Sequence, residues 1–407
     1  MKYLTPRRFL LFSFVFIISF LIPFWIHNAG DKVQKVFYVD PVNGNDRNEG
    51  DSSHPFMTIE KAQVEVSKVN SHMSGDIIVY LMSGEYSMAD TIRFSPKDSG
   101  SNGHQVYYMA YPNQVPIFSG GKRLDANHWK LFDDKKQIYR ISLKGLKPFR
   151  QLYVNGEPAI RARFPNATDS ESLGTYFTTQ GADVNEKYMV VKKSNLPNIS
   201  QLQSGLEMIV HPHWYHEILR ISLIEDDPND HMQSRVFIKM PEADIGLNPA
   251  KGNKFYTNNP YYFENDLSLL DMEGEWFLDE ANEMLYYKPR MGEDMDTAVV
   301  IAPQLDKLIS IDGTRENQVH DLYFSGIHFQ YTNWNWPNSH GMVATQGFQI
   351  FGTVSAGAVE VQYASHITFD NNFVQFTAGN GLQFIKGVKN SQIKNNWFEN
   401  VGVTQYA

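Results

Sequence analysis

Along the last hundred residues, short apolar stretches alternate residue by residue with polar ones and end in Gly or Asn turns. Val359-Glu360-Val361 is followed by Ile367-Thr368-Phe369-Asp370-Asn371-Asn372, and the same phrase returns as Leu382-Gln383-Phe384 and Ser391-Gln392-Ile393-Lys394-Asn395-Asn396. Leu382 lies 23 residues after Val359, and Ile393 lies 24 after Phe369. A period this short cannot close a core of its own, so each unit must bury its apolar face against the next, as in one coil of a parallel β-solenoid. Period-two segments bounded by Gly, Pro and Ser predict earlier strands at 36–39, 77–81, 91–94, 106–110 and 116–118. One stretch has helical spacing instead. Thr58 is a predicted N-cap with Glu60 in the first turn and Lys68 in the last, and Ile59, Ala62, Val66 and Val69 share a face that would plug the open end of the solenoid.

Between 120 and 303 the rhythm changes. Alternating segments at 138–143, 151–154, 206–211, 235–240, 276–279 and 284–287 keep no period, which predicts an antiparallel β module spliced into the coils. The pattern divides the chain into a leader (1–30), a cap with the first coils (31–119), the inserted module (120–303) and resumed coils (304–407). Ile309, Ile311, Leu322 and Phe324 open the resumed coils, and a loop of about one extra period, from Thr332 to Gly357, then holds Trp334, Trp336, Pro337, His340 and Gln346. The chain stops at Ala407 in mid-coil without a visible cap, so a longer parent sequence is expected.

Composition narrows the function. A net charge of −9 with no basic run in the globular part argues against nucleic acid. There is no cysteine, hence no disulfide, thiolate nucleophile or zinc–cysteine site. At the N-terminus Lys2, Arg7 and Arg8 precede an apolar run over 9–26, the pattern of either a cleaved signal or an uncleaved membrane anchor. Both place the remainder outside the cytoplasm: secreted, periplasmic or anchored.

Five stretches carry a resemblance. They are Phe37-Tyr38-Val39 with Gly44, Asp46 and His54-Pro55-Phe56; the run from Phe149 to Gly156; Arg161-Ala162-Arg163-Phe164-Pro165-Asn166; Gly274-Glu275-Trp276-Phe277-Leu278-Asp279 with Leu285-Tyr286-Tyr287; and the Asn-rich coils. Together they resemble the right-handed parallel β-helix proteins of glycoside hydrolase family 141 and, more distantly, family 110. That resemblance implies an all-β, right-handed parallel β-helix with the capping helix and antiparallel insert above. It also implies an extracytoplasmic enzyme acting on complex plant or algal polysaccharide, whose catalytic carboxylates lie in coils later than those present here.

Glycoside hydrolysis uses two carboxyl groups. Glu360, between two valines, points outward by alternation and has Gln383 stacked beside it; Asp370 stacks beside Lys394. Glu360 and Asp370 are the candidate catalytic pair, each weighed against a plain solvated or ion-paired role. Trp334, Trp336 and His340 in the long loop, with Gln383, are the candidate sugar contacts. Asn371 with Asn395, and Asn372 with Asn396, form amide ladders at the turns. His211, His213 and His216 cluster without a carboxylate at ligand spacing, and the Asp-rich loop over 40–51 lacks the ligand order of a calcium loop, so neither metal nor cofactor is expected. Arg161 and Arg163 either fasten the insert to the solenoid or contact an acidic sugar. A polysaccharide lyase is the alternative enzyme, with Lys386, Lys389 or Lys394 as base. A non-catalytic glycan-binding coil is the third reading.

Overall fold

In a computed structural model the protein is described over residues 32–167, 175–198, 205–213, 215–345, 348–349 and 355–402. The expected leader, with its apolar run at 9–26, lies outside them, as does Gln346. Among the described residues no helix is long and apolar enough to cross a membrane.

The protein is all-β, and three of its sheets are wholly parallel. The first joins Val33–Val39, Asp76–Leu81, Val106–Ala110, Val319–Ser325, Ala364–Asp370 and Gln392–Lys394. The second joins Gly84–Ser87, Pro116–Ser119, His328–Thr332, Phe373–Thr377 and Trp397–Val401. The third joins Ile92–Phe94, Ile309–Asp312, Gly357–Gln362 and Asn380–Lys386. Each coil visits the three sheets in turn. Because register is kept from coil to coil, identical faces pile up: Ile92, Ile309, Val359 and Leu382 are successive partners in the third sheet, and Tyr108, Phe324 and Phe369 in the first. Phe324 and Phe369 stack with centroids 5.0 Å apart, inside one continuous apolar column. Alternation therefore does what it predicts, since a one-residue slip would turn every valine out to water.

Thr58 caps the helix Ile59–Val66, accepting from the Lys61 N–H at 3.2 Å, and Ile59, Ala62 and Val66 are buried in the same core. The helix stops earlier than its pattern implies. Lys68 falls beyond it and pairs with Glu65 rather than facing the helix end. Asp40, Asp46 and Asp51 each spend carboxylate oxygens on nearby backbone N–H groups, which makes the Asp-rich loop a set of turns.

The insert leaves the stack at one corner, between the second and third sheets. After Pro116–Ser119 the chain departs at Gly120; on return Gln304 and Leu305 both donate to the Gly120 carbonyl, at 2.8 and 3.1 Å. A side chain at Gly120 would meet the Tyr331 carbonyl at 2.9 Å, so only glycine permits this closure. One coil later the long loop leaves from the same corner, after His328–Thr332 and before Gly357–Gln362. Coil five turns that corner with only Ala378 and Gly379 between its strands.

Within the insert are two further sheets. One runs through Leu152–Val154, Glu157–Arg161, Glu275–Asp279 and Met284–Tyr287, over a core of Phe149, Trp276 and Tyr287. The other contains Arg163–Phe164, Pro260–Glu264, Glu207–Val210, Glu217–Asp226, Gln233–Ile238 and Tyr188–Lys192, over Met208, Leu219, Val236 and Phe263. Pairing is antiparallel except between Glu157–Arg161 and Glu275–Asp279, which run parallel. At the far end of the stack Ile393, Trp397 and Phe398 are exposed.

Candidate functional site

Strand alternation sorts the second insert sheet into an apolar inner face and a polar outer one. Met208, Val210, Tyr261 and Phe263 enter the core, while Glu207, Ile209, Tyr262 and Glu264 turn outward. The long loop covers that outer face. Trp334 and Met342 pack with Ile209, Ile218 and Tyr262, and the Ile218 and Met342 backbones exchange both N–H···O bonds at 2.9 and 2.8 Å.

Beneath this cover lies a buried ionic network. Arg150 donates to both oxygens of Glu207, at 2.9 and 2.8 Å, to Glu264 at 3.1 Å and to the Asn338 side chain of the loop at 2.7 Å. Arg161 donates to Glu207 at 3.2 Å and Glu264 at 2.9 Å. Burial pushes the Glu207 carboxyl up, but Arg150 and then Arg161 outweigh it and hold the group at about 2; Glu264 is raised, by burial first and the neighbouring Glu207 next. Burial also raises Glu280, whose Oε1 accepts from Asn338 at 2.5 Å, and pushes Glu275 up to about 8. The motifs around 149–156 and 161–166 thus meet in space, supplying Arg150 and Arg161 to one seam, while Glu275 of the 274–279 motif accepts the Arg163 backbone N–H.

On the stack side of the corner is a polar cavity of about 360 Å³, lined among others by Asp90, Thr91, Lys147, Asp306, Lys307 and Asn335. Coil two, the insert, the returning strand and the loop all contribute to it. Burial raises the Asp306 carboxyl, with Lys147 and Lys307 opposing. Lys307 also forms an ion pair with Glu360, whose other oxygen accepts from the Gly357 N–H at 3.2 Å. The wall therefore holds one carboxyl inclined to keep its proton, Asp306, next to Lys307, which carries the ion pair to Glu360.

The sequence candidates divide among three places. Glu360 and Gln383 are register neighbours on the third sheet, Glu360 reaching the cavity through Lys307. Asp370 is on the first sheet instead, buried against the Tyr323 hydroxyl, Asn395 at 2.9 Å and Lys394 at 3.6 Å. Glu360 and Asp370 do not form a pair, because residues ten apart in one coil fall on different sides of the prism. Trp334 is 6% exposed and wedged into the insert, so its ring offers no open sugar platform. Trp336 packs against the same cluster, its ring stacked between Trp334 at 6.5 Å and the exposed His340 at 5.2 Å. Of the histidines, His213 separates: the strand ends at Val210, alternation lapses, and His213 turns to Phe255, while His211 stands against Tyr176 with the His216 ring 6.0 Å away. Among the described residues no group of three metal-ligating side chains converges.

Asp306 escaped notice in the sequence. Its only signal there is position: a charged pair, Asp306-Lys307, at the point where the insert rejoins the coils.

Residues 141–290 match the family model described as the GH141 insertion domain. The module at 141–290 is therefore similar to that insertion domain. That match falls on the module holding Arg150, Arg161, Glu207, Glu264 and Glu275. The chain is also similar to a solved structure titled "Glycoside hydrolase", with a TM-score of 0.76 and 22% identity over 90% of this chain and 74% of that one. A solved complex of XylC with xylose aligns at 14% identity and a TM-score of 0.34, over 85% of this chain and 43% of that one. No curated protein sequence matches.

Proposed function

We propose that the protein is an exported glycoside hydrolase built on a right-handed parallel β-helix, acting on complex plant or algal polysaccharide bound in the corner cavity. The observation that carries this reading is the cavity wall that holds Asp306, its carboxyl raised by burial, beside Lys307, which is ion-paired with Glu360. The resemblance to glycoside hydrolase family 141 and the insertion-domain match support the reaction class. The basic residues Lys2, Arg7 and Arg8 ahead of 9–26 support export.

Cleavage in this site needs a proton donated to the leaving oxygen and a carboxylate on the other side of the sugar. Asp306, its carboxyl raised by burial, donates the proton. Glu360, ion-paired with Lys307, takes the proton of the attacking water or attacks the anomeric carbon itself. Asp90, Lys147 and Asn335 in the wall offer hydrogen bonds to sugar hydroxyls.

Reducing-end release from a panel of plant and algal polysaccharides tests this. Asp306→Asn and Glu360→Gln should each lower the rate on a cleaved glycan by about 10² to 10⁴-fold while leaving glycan binding in place. Binding without release by the unaltered protein would instead establish a non-catalytic glycan binder, and an unsaturated product absorbing in the ultraviolet would establish a lyase.

A further inference from the structure

Arg163 differs from the other two buried arginines of the insert. Arg150 and Arg161 each bond two carboxylates, whereas Arg163, only 1% exposed, uses its side chain on the carbonyls of Pro165 (3.0 Å) and Thr175 (2.9 Å). Its Nη1 has no hydrogen-bond partner, and no carboxylate pairs with its guanidinium among the described residues. From Arg163, Glu275 accepts only the backbone N–H, its other oxygen accepting those of Asp271 and Met272, and burial pushes its carboxyl up to about 8, so at pH 7 it is mainly protonated and does not pair with the guanidinium. A buried cation left without an anion is costly.

Two more unsatisfied ring nitrogens stand nearby. His211 and His216, with rings 6.0 Å apart, each bury an Nε2 that has no partner. Burial, together with Arg163 for His211 and with His211 and Arg150 for His216, lowers both imidazoles to about 4, so they are neutral and each carries one N–H. Tyr176 and Tyr262 bridge the groups. The Arg163 guanidinium lies 3.7 Å from the Tyr262 ring and 5.5 Å from that of Tyr176, whose ring is also 5.2 Å from His211. Tyr176 and His211 are only partly buried, which leaves an approach from solvent.

We infer that Arg163, His211 and His216 form a second binding site, built for an oxyanion borne on a sugar, with Tyr176 as the flat surface against which the sugar ring lies. A uronate carboxylate or a sulfate ester supplies the charge that Arg163 lacks and accepts the imidazole N–H groups. A metal does not suit the place, because the guanidinium repels a cation and only two imidazoles are at hand. None of these residues lines the corner cavity.

Isothermal titration with glucuronate and with glucose 6-sulfate, beside glucose as neutral control, reads the site directly and independently of any hydrolysis. Binding of either acid, at least tenfold tighter than glucose and weakened at least tenfold both by Arg163→Gln and by His216→Gln, is the expected result; which acid binds identifies the source of the charge. The two histidine side-chain resonances should also shift on binding. Should Arg163→Gln fail to fold, His211→Gln and His216→Gln carry the same expectation. Equal binding of glucose, no binding of either acid, or only ordered water at Arg163 Nη1 in a soaked crystal would overturn the inference.

Discussion

Glu207 and Glu264 sit directly opposite each other on neighbouring antiparallel strands, and two arginines from separate segments are clamped across both. Like charges facing across a sheet repel. Here Arg150 and Arg161 balance them, so the strand pairing and the junction of the two insert sheets depend on the same four side chains. Removing one guanidinium strands an uncompensated carboxylate in the interior. Arg161→Ala should cost about 3–5 kcal/mol of stability in denaturant unfolding. A loss below about 1 kcal/mol would mean that water reaches the seam and screens it.

Trp334 is the hinge pin between loop and insert. Its deletion in Trp334→Ala should cost about 3–5 kcal/mol, and because the loop covers the outer face of the insert, limited proteolysis should then cut faster near residue 334. Unchanged cleavage would show that the backbone exchange between Ile218 and Met342 alone holds the loop.

Asn372 is the most heavily used side chain of the coil turns. It accepts from the Ile327 N–H at 3.0 Å and donates to the Phe324 carbonyl at 3.1 Å and to Asn396 at 3.0 Å. Asn372→Ala leaves these buried groups unpaired and should cost about 1–3 kcal/mol. Asn371, a left-handed turn residue whose side chain has no such duties, should tolerate Gly with a far smaller change in melting temperature.

Stability should fall as pH rises from 7 to 8. Burial pushes Glu275 up to about 8 and Glu217 up to about 7, so the folded protein keeps protons that the unfolded chain has already released. His211 and His216 act in the opposite sense and in another window. Lowered to about 4, they contribute stability that is complete above the unfolded value of about 6.5 and is lost as pH falls toward 4. Between 7 and 8 the carboxyls act alone. Melting curves should show the decline, and Glu275→Gln should flatten it; an identical slope in that variant would assign the decline elsewhere.

Much of the coil stack was legible because alternation and a fixed period are local properties. Val359 and Leu382 pair in register because any other register exposes one of them. The Gly84–Ser87 strand and the long Glu217–Asp226 strand were not legible, since the first is too short and the second too mixed to alternate cleanly. Site assembly was less readable still. Arg150, Arg161, Glu207 and Glu264 are spread over more than a hundred residues, and nothing local says that they converge. Trp334 shows the converse limit: an aromatic in a long loop has the same sequence signature whether it meets a sugar or a neighbouring sheet.

The most direct test of the account is a crystal structure of the protein soaked with an oligosaccharide from a glycan that it binds. Sugar density in the corner cavity, with a glycosidic oxygen within hydrogen-bonding distance of Asp306 and the ring flanked by Lys307 and Glu360, is the predicted result. Density on the first sheet beside Asp370 and Lys394, with the corner left to water, would contradict it.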